Sequence, residues 1–290
     1  MLYLISFFCY DIVSNKGDSM EQSRLGIIVG ASQNLDEIFQ KVKMFGFPLC
    51  QMGFLAEDMN MFDPVKIKEK AEQYNVKIFS VFLLFRGQIF NLKDGPSTMG
   101  FVAPDFRKQR LKLSLEFSDF VRELGTQYIV SHVGFIPDDE TDPIYTSFIP
   151  VMREFIEKCQ KNSQIFCFET GQELPSTLKR TIMDINLPNI GINLDPANLI
   201  LYGKANPIDA VEIFGQYVKS IHGKDGLWPN RDEFLGKEVP VGEGMVNFPL
   251  LMRRLKNKGF TGPVIIEREI SGERQIQDIR KAIDFFSKIL

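Results

Sequence analysis

Eight short apolar runs alternate with segments of helical period along the whole chain, and this alternation limits the fold more than any single motif. The runs fall at residues 25–29, 49–54, 76–84, 128–133, 164–169, 190–194, 218–222 and 263–267. Between them apolar residues recur at the spacing of one helix face, as in Leu35, Ile38, Phe39, Val42 and Phe45, or Phe248, Leu251, Met252 and Leu255. Asp63-Pro64 reads as a helix start, and Gly46, Gly125 and Gly259 fall where helices should stop. Strands apolar on both faces belong in a parallel sheet covered by helices. Eight repeats of that unit predict a single α/β domain, a closed (β/α)8 TIM barrel over residues 25–290, with Ile276, Ile279, Ile283 and Phe286 on the helix that closes the ring. The length of 290 residues fits one such barrel, and no linker-like stretch divides it.

The last four runs each end on a side chain that binds metals: Glu169, Asp195, His222 and Glu267. A polar group at the rim of a core has to find a partner there. In a parallel barrel the carboxyl ends of all strands meet at one face, so these four can converge although they are far apart in sequence. Three carboxylates and one imidazole form an oxygen-rich set suited to one divalent cation, Mn²⁺ foremost, with Mg²⁺, Co²⁺ or Zn²⁺ as alternatives. The two long connections, residues 85–104 and 223–247, both follow strand ends and belong to the same face.

A net charge of −3 supplies no basic field for a polyanion, which argues against nucleic acid as a partner. The four cysteines, Cys9, Cys50, Cys159 and Cys167, have neither zinc-site spacing nor disulfide density, so a reduced, cytoplasmic setting is expected. Residues 2–10 are apolar but far shorter than the roughly 20 residues of a membrane span. Residues 1–24 read as an N-terminal extension, either disordered or translated from a start upstream of Met20, with a signal peptide as the remaining alternative. A homo-oligomer is compatible with these features.

The segments Phe168-Glu169-Thr170, Leu194-Asp195-Pro196-Ala197-Asn198, Ile221-His222-Gly223-Lys224-Asp225, Gly242-Glu243-Gly244 and Ile266-Glu267-Arg268-Glu269 resemble, in order and placement, the xylose isomerase-like barrel superfamily. The similarity is to its sugar phosphate isomerase/epimerase group, which includes ketose 3-epimerases and inosose dehydratases. The resemblance implies Glu169, Asp195, His222 and Glu267 as ligands of one metal, with Glu169 and Glu267 as a proton-transfer pair on opposite faces of a small sugar substrate. The implied reaction is isomerisation or epimerisation through an enediolate. Its alternatives are dehydration of a keto-sugar or keto-inositol and a non-catalytic sugar-binding barrel. An apurinic-site endonuclease of the same superfamily would need a histidine-rich multi-metal cluster, and the chain has two histidines.

His132, Asn198, Lys224, Asp225 and Trp228 are the expected substrate contacts, since all follow strands four, six and seven. Lys224 and Asp225 are equally suited to orienting the ligand shell or to a loop salt bridge. Trp228 is suited to stacking on a sugar or to packing under its loop. Asn198 and Trp228 occupy positions where ketose 3-epimerases carry histidine and arginine. This departure predicts a modified sugar, a keto-sugar or sugar phosphate, over free hexuloses. Glu269 reads as a second-sphere group or a solvated turn charge. Arg86, Arg107 and Arg268 are candidates for an anion clamp, with surface arginines as the default reading.

Overall fold

In the computed structural model, which describes residues 24–231 and 233–290, the eight apolar runs form a closed parallel barrel. Its strands are β1 (Leu25–Gly30), β2 (Leu49–Leu55), β3 (Lys77–Leu84), β4 (Tyr128–Ser131), β5 (Ile165–Glu169), β6 (Ile190–Leu194) and β7 (Val218–Gly223). Two short strands, β8 (Asp225–Leu227) and β9 (Lys237–Val239), pair with each other as an antiparallel hairpin in the loop after β7. The eighth barrel strand, β10 (Val264–Ile266), pairs with β7 and closes onto β1 in the register Leu25↔Val264 to Ile27↔Ile266. The fold is the predicted (β/α)8 barrel.

Helices α1 (Leu35–Met44), α2 (Pro64–Gln73), α4 (Pro104–Leu124), α5 (Pro143–Lys161), α6 (Pro175–Ile185), α8 (Pro207–Phe214), α9 (Phe248–Asn257) and α10 (Glu273–Phe286) surround the barrel. The short helices α3 (Gly95–Thr98) and α7 (Pro196–Leu201) lie in connections. The main core fills the space between strands and helices and is rich in phenylalanine: Phe39, Phe117, Phe148, Phe155, Phe214, Phe248 and Phe286 are fully buried. Phe54 meets Phe62, Phe117 and Phe120 edge-on, and Phe155, Phe166 and Phe168 continue the series. Each such pair adds about 0.5–1.5 kcal/mol beyond the area it buries. None of the helices among the described residues is long and apolar enough to cross a membrane.

Local signals act as read. The Asp63 carboxylate accepts from the N–H groups of Val65 and Lys66 at 3.0 and 3.2 Å, with Pro64 at the first helical position of α2. Gly125 ends α4 in the left-handed region, with φ of 82°, and returns its N–H to Val121 and Arg122.

Besides shifts of one residue at strand ends, the structure departs from the sequence reading in three places. Pairing in β4 stops at Ser131 and not at 133, because the Val133 carbonyl turns away to accept from Phe101 and Val102. That contact seats the β3–α4 connection on the rim, and Gly100 permits it: a Cβ there would lie 2.1 Å from the Val133 carbonyl carbon. The two long connections hold regular structure of their own, α3 in one and the β8–β9 hairpin in the other. Arg24, counted with the extension, is anchored to the barrel through the Gly262 carbonyl. The remaining readings of residues 1–23 lie outside the described residues.

Candidate active site at the carboxyl ends of strands five to eight

Each expected ligand reaches the mouth by its own local device. Glu169 ends β5, His222 lies one residue before the end of β7, and Glu267 follows β10 with its N–H on the Gly223 carbonyl. Asp195 sits between β6 and α7, where its Oδ1 caps the helix by accepting from Asn198 N–H at 2.9 Å. Thr170 fixes the Asp195 backbone from both sides, donating to its carbonyl and accepting from its N–H, both at 2.9 Å.

These placements bring one donor atom from each of Glu169, Asp195 and His222 within 4.8 Å of one another, all fully buried. His222 Nδ1 lies 2.9 Å from Glu169 Oε1, 3.1 Å from Glu267 Oε2 and 3.7 Å from Asp195 Oδ2. Glu267 is the most open member, with its side chain 16% exposed. Close as they are, Glu169 Oε1, Asp195 Oδ2 and His222 Nδ1 make no hydrogen bond, and all three are shut off from solvent. Buried polar atoms are rarely left without partners. Three of them pointing at one place, drawn from carboxylate oxygen and imidazole nitrogen, fit a divalent cation.

The other atoms of these side chains are held from below. His222 Nε2 lies 2.8 Å from Gln51 Oε1, while Gln51 Nε2 donates to Ser80 Oγ at 2.8 Å. With the Gln51 oxygen as acceptor, Nε2 carries a proton, and Nδ1 is the nitrogen turned toward the carboxylates. Glu169 Oε2 accepts from the Asn193 amide, whose oxygen accepts from Ser220. Gln51, Ser80, Asn193 and Ser220 are buried inside the barrel, and sequence reasoning missed all four. Their signal was a polar residue inside an otherwise apolar strand.

Electrostatics fits the same picture. Burial pushes Glu169 up to about 7, with His222 opposing the shift and Asp195 and Glu267 adding to it. His222 loses some basicity to burial, but Glu169 and Glu267 outweigh this and raise it well above the usual histidine range. Burial also disfavours the Glu267 charge, yet Lys224 and His222 hold this carboxylate well below its usual range. A cation held here would take the place of the proton on His222 Nδ1.

His132 follows β4 and is buried beside this cluster. Its Nδ1 bonds Gln172 Oε1 at 3.1 Å, which leaves Nε2 as an acceptor, and Phe82 and Phe90 flank the ring with centroids 5.6 and 5.5 Å away. Burial, reinforced by Lys224, lowers it to about 4, so it is neutral at physiological pH. Lys224 is buried and lies 3.4 Å from Asp195 Oδ2 and 3.5 Å from Glu267 Oε2, while pairing with Glu269 and donating to Asn198 Oδ1 at 3.2 Å. Glu269 is thus the outer partner of Lys224 and not a free turn charge.

Asp225 is engaged by its own loop. Its two oxygens accept from the N–H groups of Gly226, Gly242, Gly244 and Val246 at 2.9–3.2 Å, which staples the loop after β7. Gly244 is required there, since a Cβ would lie 2.1 Å from Asp225 Oδ1. Trp228 stands just beyond β8 and is 40% exposed. The three arginines are also committed. Arg86 pairs with Asp58 at 2.7 Å, and Arg268 bridges Glu238 and Asp278 at 2.9 Å each. Arg107, buried rather than on the surface, binds the carbonyls of Phe101 and Val102 and the Ser147 hydroxyl.

Known proteins share this architecture. A xylose isomerase domain protein from Planctomyces limnophilus is 30% identical, with a TM-score of 0.83 over 92% of this chain and 96% of that one. The fold of D-psicose 3-epimerase from Clostridium cellulolyticum H10, solved with D-tagatose, superposes with a TM-score of 0.68 at 15% identity, covering 92% of this chain and 99% of that one. An inosose dehydratase of Geobacillus kaustophilus is 21% identical over 271 residues, 83% of this chain and 82% of the relative. The family model described as xylose isomerase-like TIM barrel matches residues 39–289, and the chain belongs to that family.

Proposed function

We propose that the protein is an enzyme that uses one divalent cation, Mn²⁺ first among the candidates, to move a proton next to the carbonyl of a polyhydroxy ketone. The observation that carries this reading is the convergence of three buried, unbonded donor atoms of Glu169, Asp195 and His222, with Glu267 on their open side. The cation, once bound, polarises the carbonyl and stabilises the enediolate left when the adjacent proton departs.

This chain's residues supply the rest. Glu169, Asp195, His222 and Glu267 hold the cation, and a carboxylate of the set takes the proton. His132 offers a neutral Nε2 to a substrate hydroxyl, and Phe82 and Phe90 border it with apolar rings. Lys224 keeps its charge, because Glu267 and Asp195 outweigh its burial, and so it partly neutralises the carboxylates. Sugar isomerisation or epimerisation and dehydration of a keto-sugar or keto-inositol share this first step. The inosose dehydratase relative supports the second. The commitment of Arg86, Arg107 and Arg268 to protein partners favours an unphosphorylated substrate. Cys50, Cys159 and Cys167 are buried and unpaired, which accords with a reducing, cytoplasmic setting.

The test is hydrogen exchange. Mn²⁺-loaded protein is incubated in D₂O with ketoses, keto-sugars and 2-keto-myo-inositol, and deuterium is located by NMR. The proposal requires deuterium at a carbon next to a carbonyl, abolished by EDTA and restored by Mn²⁺. Absence of exchange across the panel contradicts it.

A further inference from the structure

We infer that proton transfer in this site is one-sided: Glu267 is the base, and Glu169 is a ligand that cannot serve as a second base on the opposite face. The inference rests on the proposed function and narrows its outcome to reactions without inversion.

The two glutamates look equivalent in sequence but differ in what each oxygen does. Glu169 has its side chain 1% exposed. Its Oε1 is shut off from solvent and faces His222 Nδ1 at 2.9 Å, while Oε2 accepts from the Asn193 amide inside the barrel. The amide cannot be turned over without cost. Exchanging its ends would set the Asn193 oxygen against a carboxylate and waste the acceptor that Ser220 uses. With Oε1 toward the cation site and Oε2 tied below, neither oxygen of Glu169 faces a substrate.

Glu267 is arranged the other way. Its Oε2 faces the cluster, 3.1 Å from His222 Nδ1 and 3.5 Å from Lys224 Nζ, and Oε1 enters no hydrogen bond or ion pair among the described residues. Its side chain is 16% exposed, in contrast to the fully buried side chains of Asp195 and His222. A base must come within about 2.6–3.2 Å of the proton it removes. Of the three carboxylates only Glu267 has an oxygen free to do so.

The chemistry follows from a single base. The C–H bond breaks, its electron pair forms the enediolate, and the proton passes to Glu267. Return of that proton to the same carbon gives exchange with retained configuration. Delivery to the former carbonyl carbon gives a 1,2-shift. Alternatively the electrons of the enediolate expel a hydroxyl from the next carbon, the C–O bond breaks, and the proton held by Glu267 leaves with the hydroxyl as water. No oxidant or reductant is consumed in any branch. Inversion would require a proton from the opposite face, where Glu169 has no free oxygen.

Two readouts test the inference. Carboxyl footprinting of the metal-free protein with a water-soluble carbodiimide and glycine ethyl ester, mapped by mass spectrometry, should label Glu267 at least tenfold faster than Glu169. In D₂O, the Mn²⁺-loaded protein acting on 2-keto-myo-inositol and D-fructose should yield recovered substrate with deuterium and unchanged configuration, a 1,2-isomer, or a dehydrated product. Equal labelling of the two glutamates, or an epimer inverted at the exchanging carbon, overturns the inference. Absence of exchange with both compounds counts against the proposed function instead, and the footprint still decides the roles of the two glutamates.

Discussion

The two halves of the barrel mouth are built on opposite principles. The half formed by β5, β6, β7 and β10 carries Glu169, Asp195, His222, Lys224 and Glu267, whereas the half formed by β1 to β4 presents Phe82, Phe90 and a neutral His132. A buried charge is tolerated only beside its partners, so the charges are grouped, and each one's solvation penalty is met by its neighbours. The other half sets its rings against a neutral imidazole, with its Arg86–Asp58 pair turned out to solvent. On the proposed function, a polyhydroxy compound between them would meet carboxylates and their cation along one edge and apolar faces with one acceptor along the other. The halves are joined underneath, where Gln51 and Ser80 from β2 and β3 reach His222 on β7.

Four substitutions sharpen this contrast, in descending order of expected effect. On the charged side, Asp225→Ala removes the acceptor of four backbone N–H groups and should cost at least about 3 kcal/mol in urea unfolding. A loss below about 1 kcal/mol would show that the loop after β7 does not depend on this staple.

Glu173, also on the charged side, is a buried carboxyl with an unbonded Oε2, and burial pushes it up to about 8. Its folded value lies above its unfolded one, so the unfolded chain gives up this proton first. The stability it contributes is complete below about pH 4.5 and is lost as pH rises toward 8. Glu173→Gln should therefore flatten the decline in stability between pH 5 and 8 by about 2 kcal/mol. Parallel wild-type and variant curves would contradict the assignment.

Gln51→Leu cuts the link between the halves. It should weaken Mn²⁺ binding by about 10–100-fold in calorimetry, while Gln51→Glu, which keeps an acceptor for His222 Nε2, should retain most of the affinity. Unchanged affinity in Gln51→Leu would mean that His222 is oriented by its other neighbours. Arg86→Ala breaks an exposed pair with Asp58 and should change stability by less than about 0.5 kcal/mol. A larger loss would give the apolar half a charged support that the structure does not assign to it.

The metal-binding side chains of the charged half were largely legible in sequence, and the groups that support them and the loops around them much less so. Glu169, Asp195, His222 and Glu267 could be read because each ends or follows an apolar run, and the barrel rule carries strand ends to one face. Asn193 and Ser220 lie within strands, where one polar residue gives no sign of whether it faces the lumen or the helices. The staple made by Asp225 could not be read, because it depends on the β8–β9 hairpin and on backbone N–H groups at 242–246, which belong to a fold and not to a motif. Arg107 was misread because long side chains bury their stems and heads alike once loop carbonyls surround them, as those of Phe101 and Val102 do here.

The central claim is that Glu169, Asp195, His222 and Glu267 hold one divalent cation. Its most direct measurement is Mn²⁺ stoichiometry, by elemental analysis and electron paramagnetic resonance, on the wild type and on the Asp195→Ala/His222→Ala double variant with folding confirmed by circular dichroism. The account predicts one tightly bound Mn²⁺ per wild-type chain and none in the folded double variant. Stoichiometric Mn²⁺ retained by that variant would contradict it.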